Sequence, residues 1–261
     1  MLGINSLKLI SEYYSSSSED EEEKNKDHKK IHERYLNIYS LSVPQSIISW
    51  KGVPHHEEVI DNPSDHKGKI RAFKHERGNW ATLVYINYTA SDAMLCWIKS
   101  IAALLPGENN VLFEQFHISL TRTLILKFHW IDSFVESLKK LCLNANKFTL
   151  EFSDIKAYCN EERTRTFLGI RCCSNSIADY LISAINNILA EYQLPPFYED
   201  PSLHISILWW LGDIEDSVNK VIPLISSSFN QFLTDHIEEN YVNIKELYCK
   251  IGNKLYTFKL Q

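Results

Sequence analysis

The sequence contains no C-x-x-C pair, although it carries six cysteines, Cys96, Cys142, Cys159, Cys172, Cys173 and Cys249. Zinc-ribbon and thioredoxin-type sites therefore lack their usual spacing. Cys172 and Cys173 are neighbours in a strand-like segment, where adjacent side chains face opposite ways, which argues against a shared metal. Most of the cysteines lie in apolar or strand-like segments and read as reduced core thiols. No apolar run approaches the ~20 residues of a membrane span. The opening "MLGINSLKLI" lacks the layout of a signal peptide, so the expectation is a soluble intracellular chain with no membrane partner. There is no Gly-rich phosphate loop. Excess positive charge is also missing: the formal net charge is −6, so any contact with RNA or DNA has to come from a local site.

What is present is enough apolar residue to fold. Of 261 residues, 44% are hydrophobic and 12% aromatic, sufficient for one large domain or two small lobes. The exception is "SEYYSSSSEDEEEKNKDHKK", which is too polar and too charged to bury a core. Residues 1–40 are therefore expected to be a disordered acidic, Ser-rich tail, and 41–261 a bilobal domain. In the latter, "NWATLVYINY" reads as a strand. A helix follows, with Thr89 and Asp92 at capping-box spacing and Ala93, Trp97, Ile98, Ile101 and Leu105 on one face. Next come a strand with "FHIS", a helix near Ile131 to Leu143 opened by Ser133 and Glu136, and a strand pair, "KFTLEFSDIKAYC" with "TRTFLGIRCC". A helix from Ser176 to Tyr192 presents Ile177, Leu181, Ile185 and Ile188. After a second "LHIS" strand, a helical region is interrupted or kinked at Pro223. "NIKELYCK" and "KLYTFKL" close the chain as a hairpin across Gly252-Asn253. Each half thus reads strand, helix, His strand, helix, strands, an internal duplication. The fold class expected is α+β, with two lobes related by a pseudo-twofold axis.

The repeated pattern is "EQFHISLTRT" and "PSLHISILWW". Side chains two apart on a strand share a face, so His117 projects with Ser119, and His204 with Ser206. If the two strands face each other, four polar groups converge on one cleft. Imidazoles titrate near neutrality and can serve as base and acid, and hydroxyls can hydrogen-bond the non-bridging oxygens of a phosphate. Ten histidines yield about one His-x-Ser/Thr by chance, so the count alone decides nothing. Placement does: both copies spell His-Ile-Ser, both lie in apolar strands, and both hold the same slot in their half.

At these residues the chain resembles the two-histidine (2H) phosphoesterase superfamily, which carries one His-x-Ser/Thr motif per lobe. "IRAFKHERGNWATLVYI", "FHISLTRT", "FYEDPSLHISILWW" and "CKIGNKLYTFKL", in that order, resemble the family of U6 small nuclear RNA 3′-end phosphodiesterases. The resemblance covers roughly Leu41 to Gln261. It implies a 2H fold of pseudo-twofold antiparallel sheets flanked by helices with a central cleft. It also implies a nuclear location, an RNA partner (the 3′ end of U6 small nuclear RNA) and a metal-independent 3′–5′ exonuclease chemistry without cofactor, in a chain acting as a monomer. His117 and His204 would be the catalytic pair, Ser119 and Ser206 would hold the scissile phosphate, and Tyr198 would stack on the terminal base. The 2′-hydroxyl of the penultimate ribose would attack, leaving a 2′,3′-cyclic phosphate that some relatives open. Which histidine is the base stays open. So do two alternatives: an enzyme for cyclic-phosphate or 2′–5′ linked ends, and a non-catalytic RNA-end binding module.

Other groupings are weaker. His55-His56 with Glu57-Glu58 precedes a turn-rich stretch and reads as a solvated loop. Lys74, His75 and Arg77 in "KHERGNW" stand before a glycine turn, where an RNA-backbone contact and a plain exposed turn are equally compatible with the sequence.

Overall fold

The computed structural model describes residues 76–106, 110–199 and 201–261, together with Gln45 and Ser49. The chain divides into two compact units, 1–58 and 59–261. In the first, Ser49 N–H donates to the Gln45 carbonyl at 2.8 Å, one helical turn. The serine-rich acidic stretch, the His55–Glu58 cluster, Lys74 and His75 lie outside the described residues; Arg77 sits in the turn before the first strand.

The second unit is built on one antiparallel sheet. Its strands are β1 (Asn79–Tyr88), β2 (Val111–Leu112), β3 (Phe116–Ser119), β4 (Leu124–Lys127), β5 (Phe148–Cys159), β6 (Arg165–Cys173), β7 (His204–Leu211), β8 (Tyr241–Ile244), β9 (Glu246–Ile251) and β10 (Lys254–Lys259). They order as β10-β9-β1-β3-β7-β6-β5-β8, with β4 on β1 and β2 on β7. The helices are α1 (Asp92–Ala102), α2 (Ile131–Leu143), α3 (Ser176–Glu191), α4 (Glu215–Asn219) and α5 (Ile222–Asp235). The expected duplication is visible in this order: β1-α1-β3 answers β6-α3-β7, and each His strand is the inner strand of its lobe. The lobes do not stay separate sheets. They join edge to edge where Ile118 of β3 pairs with Ile205 of β7.

Alternation sets the faces. Val84, Ile86, Ile118, Leu168, Ile170 and Ile205 point into a core shared with Met94, Ile98, Phe134, Leu181, Ile185 and Phe229 from the helices. Burying such side chains contributes about 1.5–3 kcal/mol each. The opposite face of the same strands carries the polar residues.

Several local expectations shift. Helix α1 is capped by Ser91, whose hydroxyl accepts from Met94 N–H, rather than by Thr89, and Met94 rather than Ala93 is buried. Helix α2 has no side-chain cap; Ser133 lies inside it and donates to the Trp130 carbonyl. The buried stripe of α3 is Ala178, Leu181, Ile182, Ile185 and Leu189, with Ile177 and Ile188 only partly covered. Pro223 does not kink a helix: it sits in the first turn of α5, where its missing N–H costs nothing. "NIKELYCK" is two strands. Tyr241–Ile244 pairs with β5 at the outer edge of the second lobe, whereas Glu246–Ile251 pairs with β1 in the first. Gly252 turns the β9–β10 hairpin at φ +55°, with Trp80 Cε3 2.5 Å from where a β-carbon would stand. Cys172 is buried and Cys173 exposed, as adjacent strand residues should be.

Candidate active site

The β3–β7 pairing decides the geometry. With Ile118 opposite Ile205 in an antiparallel ladder, His117 falls opposite Ser206 and Ser119 opposite His204, all four on the face away from the core. The two histidines are then diagonal neighbours, with α-carbons ~7–8 Å apart and β-carbons somewhat closer. Each hydroxyl lies beside the other strand's imidazole. Among the described residues, neither serine hydroxyl has a hydrogen-bond partner. The four residues named from the sequence motif are therefore brought together.

The two rings are held differently. His204 Nδ1 lies 2.7 Å from the Ser202 carbonyl oxygen. That oxygen only accepts, so Nδ1 carries the hydrogen and Nε2 is the nitrogen available to a ligand. Tyr158 of β5 stacks on the ring at 3.9 Å between centroids, with 17° between planes, and its hydroxyl is 2.8 Å from Ser202 Oγ. Gly169 makes room: a β-carbon there would lie 2.9 Å from Tyr158 Cε2 and 3.2 Å from His204 Cδ2. His117 meets Tyr85 of β1 edge-on at 5.4 Å, and Tyr85 stacks on Tyr248 of β9 at 5.6 Å.

Both imidazoles are pushed below their ordinary pKa of 6.5. For His117 burial is the main cause, and the charge of His204 adds to it. For His204 burial again leads, opposed by the Ser202 carbonyl and reinforced by Lys156. Burial likewise raises the Tyr158 phenol, with the Ser202 hydroxyl pulling it back.

Tyr198 stands off the strands, 45% exposed. The Arg122 guanidinium lies over its ring at 4.1 Å from the centroid and binds Glu161 at 2.6 Å. Arg122 Nε is buried without a partner. Tyr85, Tyr158, Gly169 and Arg122 were not singled out from the sequence. The alternation of β1 puts Tyr85 on the polar face and was available as a signal, whereas the other three depend on cross-strand register or on a loop.

Among the described residues, one group of potential metal ligands comes together: Cys159, Asp213 and Glu215, with donor atoms within 4.8 Å of one another. Arg163 already matches it, with Nε 2.5 Å from Asp213 and a terminal nitrogen 3.3 Å from Glu215. The Cys159 thiol is pushed up, mainly by burial, so it stays protonated.

Against known proteins, residues 41–259 match the family model HVSL, described as an uncharacterised conserved protein. "U6 snRNA phosphodiesterase 1" of Danio rerio is 36% identical over 204 residues, covering 77% of this chain and 74% of that protein. The protein of the same name from Homo sapiens is 33% identical over 231 residues, with 84% and 83% covered. This chain belongs to the U6 snRNA phosphodiesterase 1 family. The fold agrees: Kluyveromyces marxianus Usb1, solved with uridine monophosphate, superposes with a TM-score of 0.52 at 14% identity, over 69% of this chain and 98% of that one. The expected α+β fold, an antiparallel sheet flanked by helices, is the one this likeness shows.

Proposed function

We propose that this chain is an RNA 3′-end phosphodiesterase that trims the uridine tail of U6 small nuclear RNA one nucleotide at a time, with His117 and His204 as its acid–base pair. The reading rests most heavily on the seam between the lobes, where the antiparallel register sets two His-x-Ser pairs side by side on one face of the sheet. One imidazole takes the proton of the penultimate 2′-hydroxyl as that oxygen attacks phosphorus. The other delivers a proton to the departing 5′-oxygen of the last nucleotide, and the RNA is left with a 2′,3′-cyclic phosphate. Ser119 and Ser206 donate to the non-bridging oxygens, where charge builds up in the transition state. Tyr198 offers the face not covered by Arg122 to the terminal base. Residues 41–261 form the catalytic domain and 1–40 an appended tail. A small nuclear RNA substrate implies work in the nucleus.

Mass analysis of the ends left on a short uridine-tailed RNA tests this. The expected products are an RNA shortened stepwise and ending in a cyclic phosphate, or in the monophosphate from its opening. Uncut RNA, or products ending in a plain 3′-hydroxyl, would refute the scheme.

A further inference from the structure

The reactive face does not end at the His/Ser quartet. Beyond His117, on the first lobe, lies a cavity of about 490 Å³, within the range of small-ligand sites. Its walls include the stacked rings of Tyr85 and Tyr248, the amides of Asn87 and Gln115, Phe116, and Leu255, which is 56% exposed. Asn87 is directly opposite His117 in the β1–β3 register, so the cavity begins where the catalytic strand begins. Tyr198 is at the other end. It lies under Arg122, which follows β3 just past Ser119. The quartet therefore has aromatic surfaces on two sides: Tyr198 under Arg122, past Ser119 in the chain, and the Tyr85–Tyr248 pair across β1, where Tyr85 stands opposite Ser119 and the cavity runs on towards Asn87.

A phosphodiester held at the quartet has a nucleotide on each side. If Tyr198 takes the terminal base, the base on the 5′ side of the cleaved bond has to leave across His117 and over β1. We infer that the Tyr85–Tyr248 shelf and its cavity bind that penultimate nucleobase. This deepens the proposed function and rests on it. The chemistry suits a base: a ring pair for stacking, apolar support from Leu255, and two side-chain amides, each with donors and an acceptor for a base edge. Lys250, two residues beyond Tyr248 on the same face of β9 and opposite Leu83, is an exposed cation outside the cavity that would meet RNA backbone leaving over β9.

The test compares kcat/KM for release of the last nucleotide from two uridine-tailed RNAs. One is intact; the other has an abasic ribonucleotide, 2′-hydroxyl retained, at the penultimate position. Stacking energies translate into an expected loss of about five- to hundredfold for the wild-type chain when that base is removed. Tyr248→Ala is expected to lose a similar factor on intact RNA and little more on the abasic one. Tyr248→Phe keeps the ring and should preserve the dependence on the base, which separates loss of the shelf from loss of folding. Cleavage of both RNAs at equal rates by the wild type, or undiminished base dependence in Tyr248→Ala, would overturn the shelf alone. Failure of the wild type to cut intact RNA would overturn the function on which the shelf rests, and the shelf with it.

Discussion

At the scale of single residues, His204 is the more constrained of the two imidazoles. The Ser202 carbonyl orients it, Tyr158 covers one face, and Gly169 is the residue that lets both rings fit. Gly169→Ala should therefore displace Tyr158 and His204 together. Expected is a loss of about 1–3 kcal/mol of stability with a disproportionate fall in kcat, measured by chemical denaturation and steady-state kinetics on the same preparation. An unchanged kcat would mean that the ring is not set by this packing. The lowered pKa values of both histidines give a second expectation. In the free protein each imidazole stays neutral down to a pH below 6.5, so the bell for kcat/KM should be centred on the acid side of that value. A bound phosphate anion favours both imidazolium forms and moves the bell for kcat upward. Parallel pH profiles of the two constants check this; a kcat/KM optimum more alkaline than that of kcat would contradict it. The same shifts bear on stability. The neutral rings contribute fully above pH 6.5, and that contribution is lost as pH falls towards the folded-state pKa values. His117, Ser119, His204 and Ser206 were legible as a unit because strand alternation is a local rule. Tyr158 and Arg122 were not, since their positions follow from which strands pair and how a loop folds back.

At the scale of elements, the closing hairpin is where sequence and structure part most clearly. "NIKELYCK" alternates without a break, yet it is divided at Lys245, with Tyr241–Ile244 on β5 and Glu246–Ile251 on β1. Alternation says which face a residue takes, not which strand it pairs with. Likewise the period puts Ile177, Leu181, Ile185 and Ile188 on one face of α3; Leu181 and Ile185 are buried, but Ala178, Ile182 and Leu189 join them while Ile177 and Ile188 are only partly covered. Helical side chains lean towards the N-terminus, so the covered patch is offset from the positions counted by period alone. The Gly252 turn was legible, and its necessity is now specific: a side chain there has both a positive φ and the Trp80 ring against it. Gly252→Ala should cost about 1–3 kcal/mol, seen as a lower midpoint in urea with an unchanged slope. A midpoint equal to that of the wild type would show that the hairpin accommodates the methyl group.

At the scale of the whole described unit, the seam between β3 and β7 does two jobs. It fuses the lobes into one sheet, and it brings the two copies of a duplicated motif into diagonal register, so that both fall within the one candidate site. The duplication was legible in the sequence; the edge-to-edge fusion was not, because nothing local specifies a pair as brief as Ile118 with Ile205. The chain's last strands tie the lobes further, since β8 ends one and β9 with β10 ends the other. Net charge of −6 gives no general pull on RNA, which leaves attraction to the cations on the reactive face, Lys156, Arg122 and Arg171 among them.

In the proposed function both imidazoles act on a single phosphorus, one from each lobe. The most direct measurement is the rate of uridine-tailed RNA cleavage by His117→Ala, His204→Ala and the double variant. Each single change is expected to lower kcat by about a hundredfold or more. Groups that act as a unit lose little more when the second is removed, so the double variant should be no slower than the slower single one. Losses that multiply in the double variant would contradict a shared centre, as would either single variant retaining full activity.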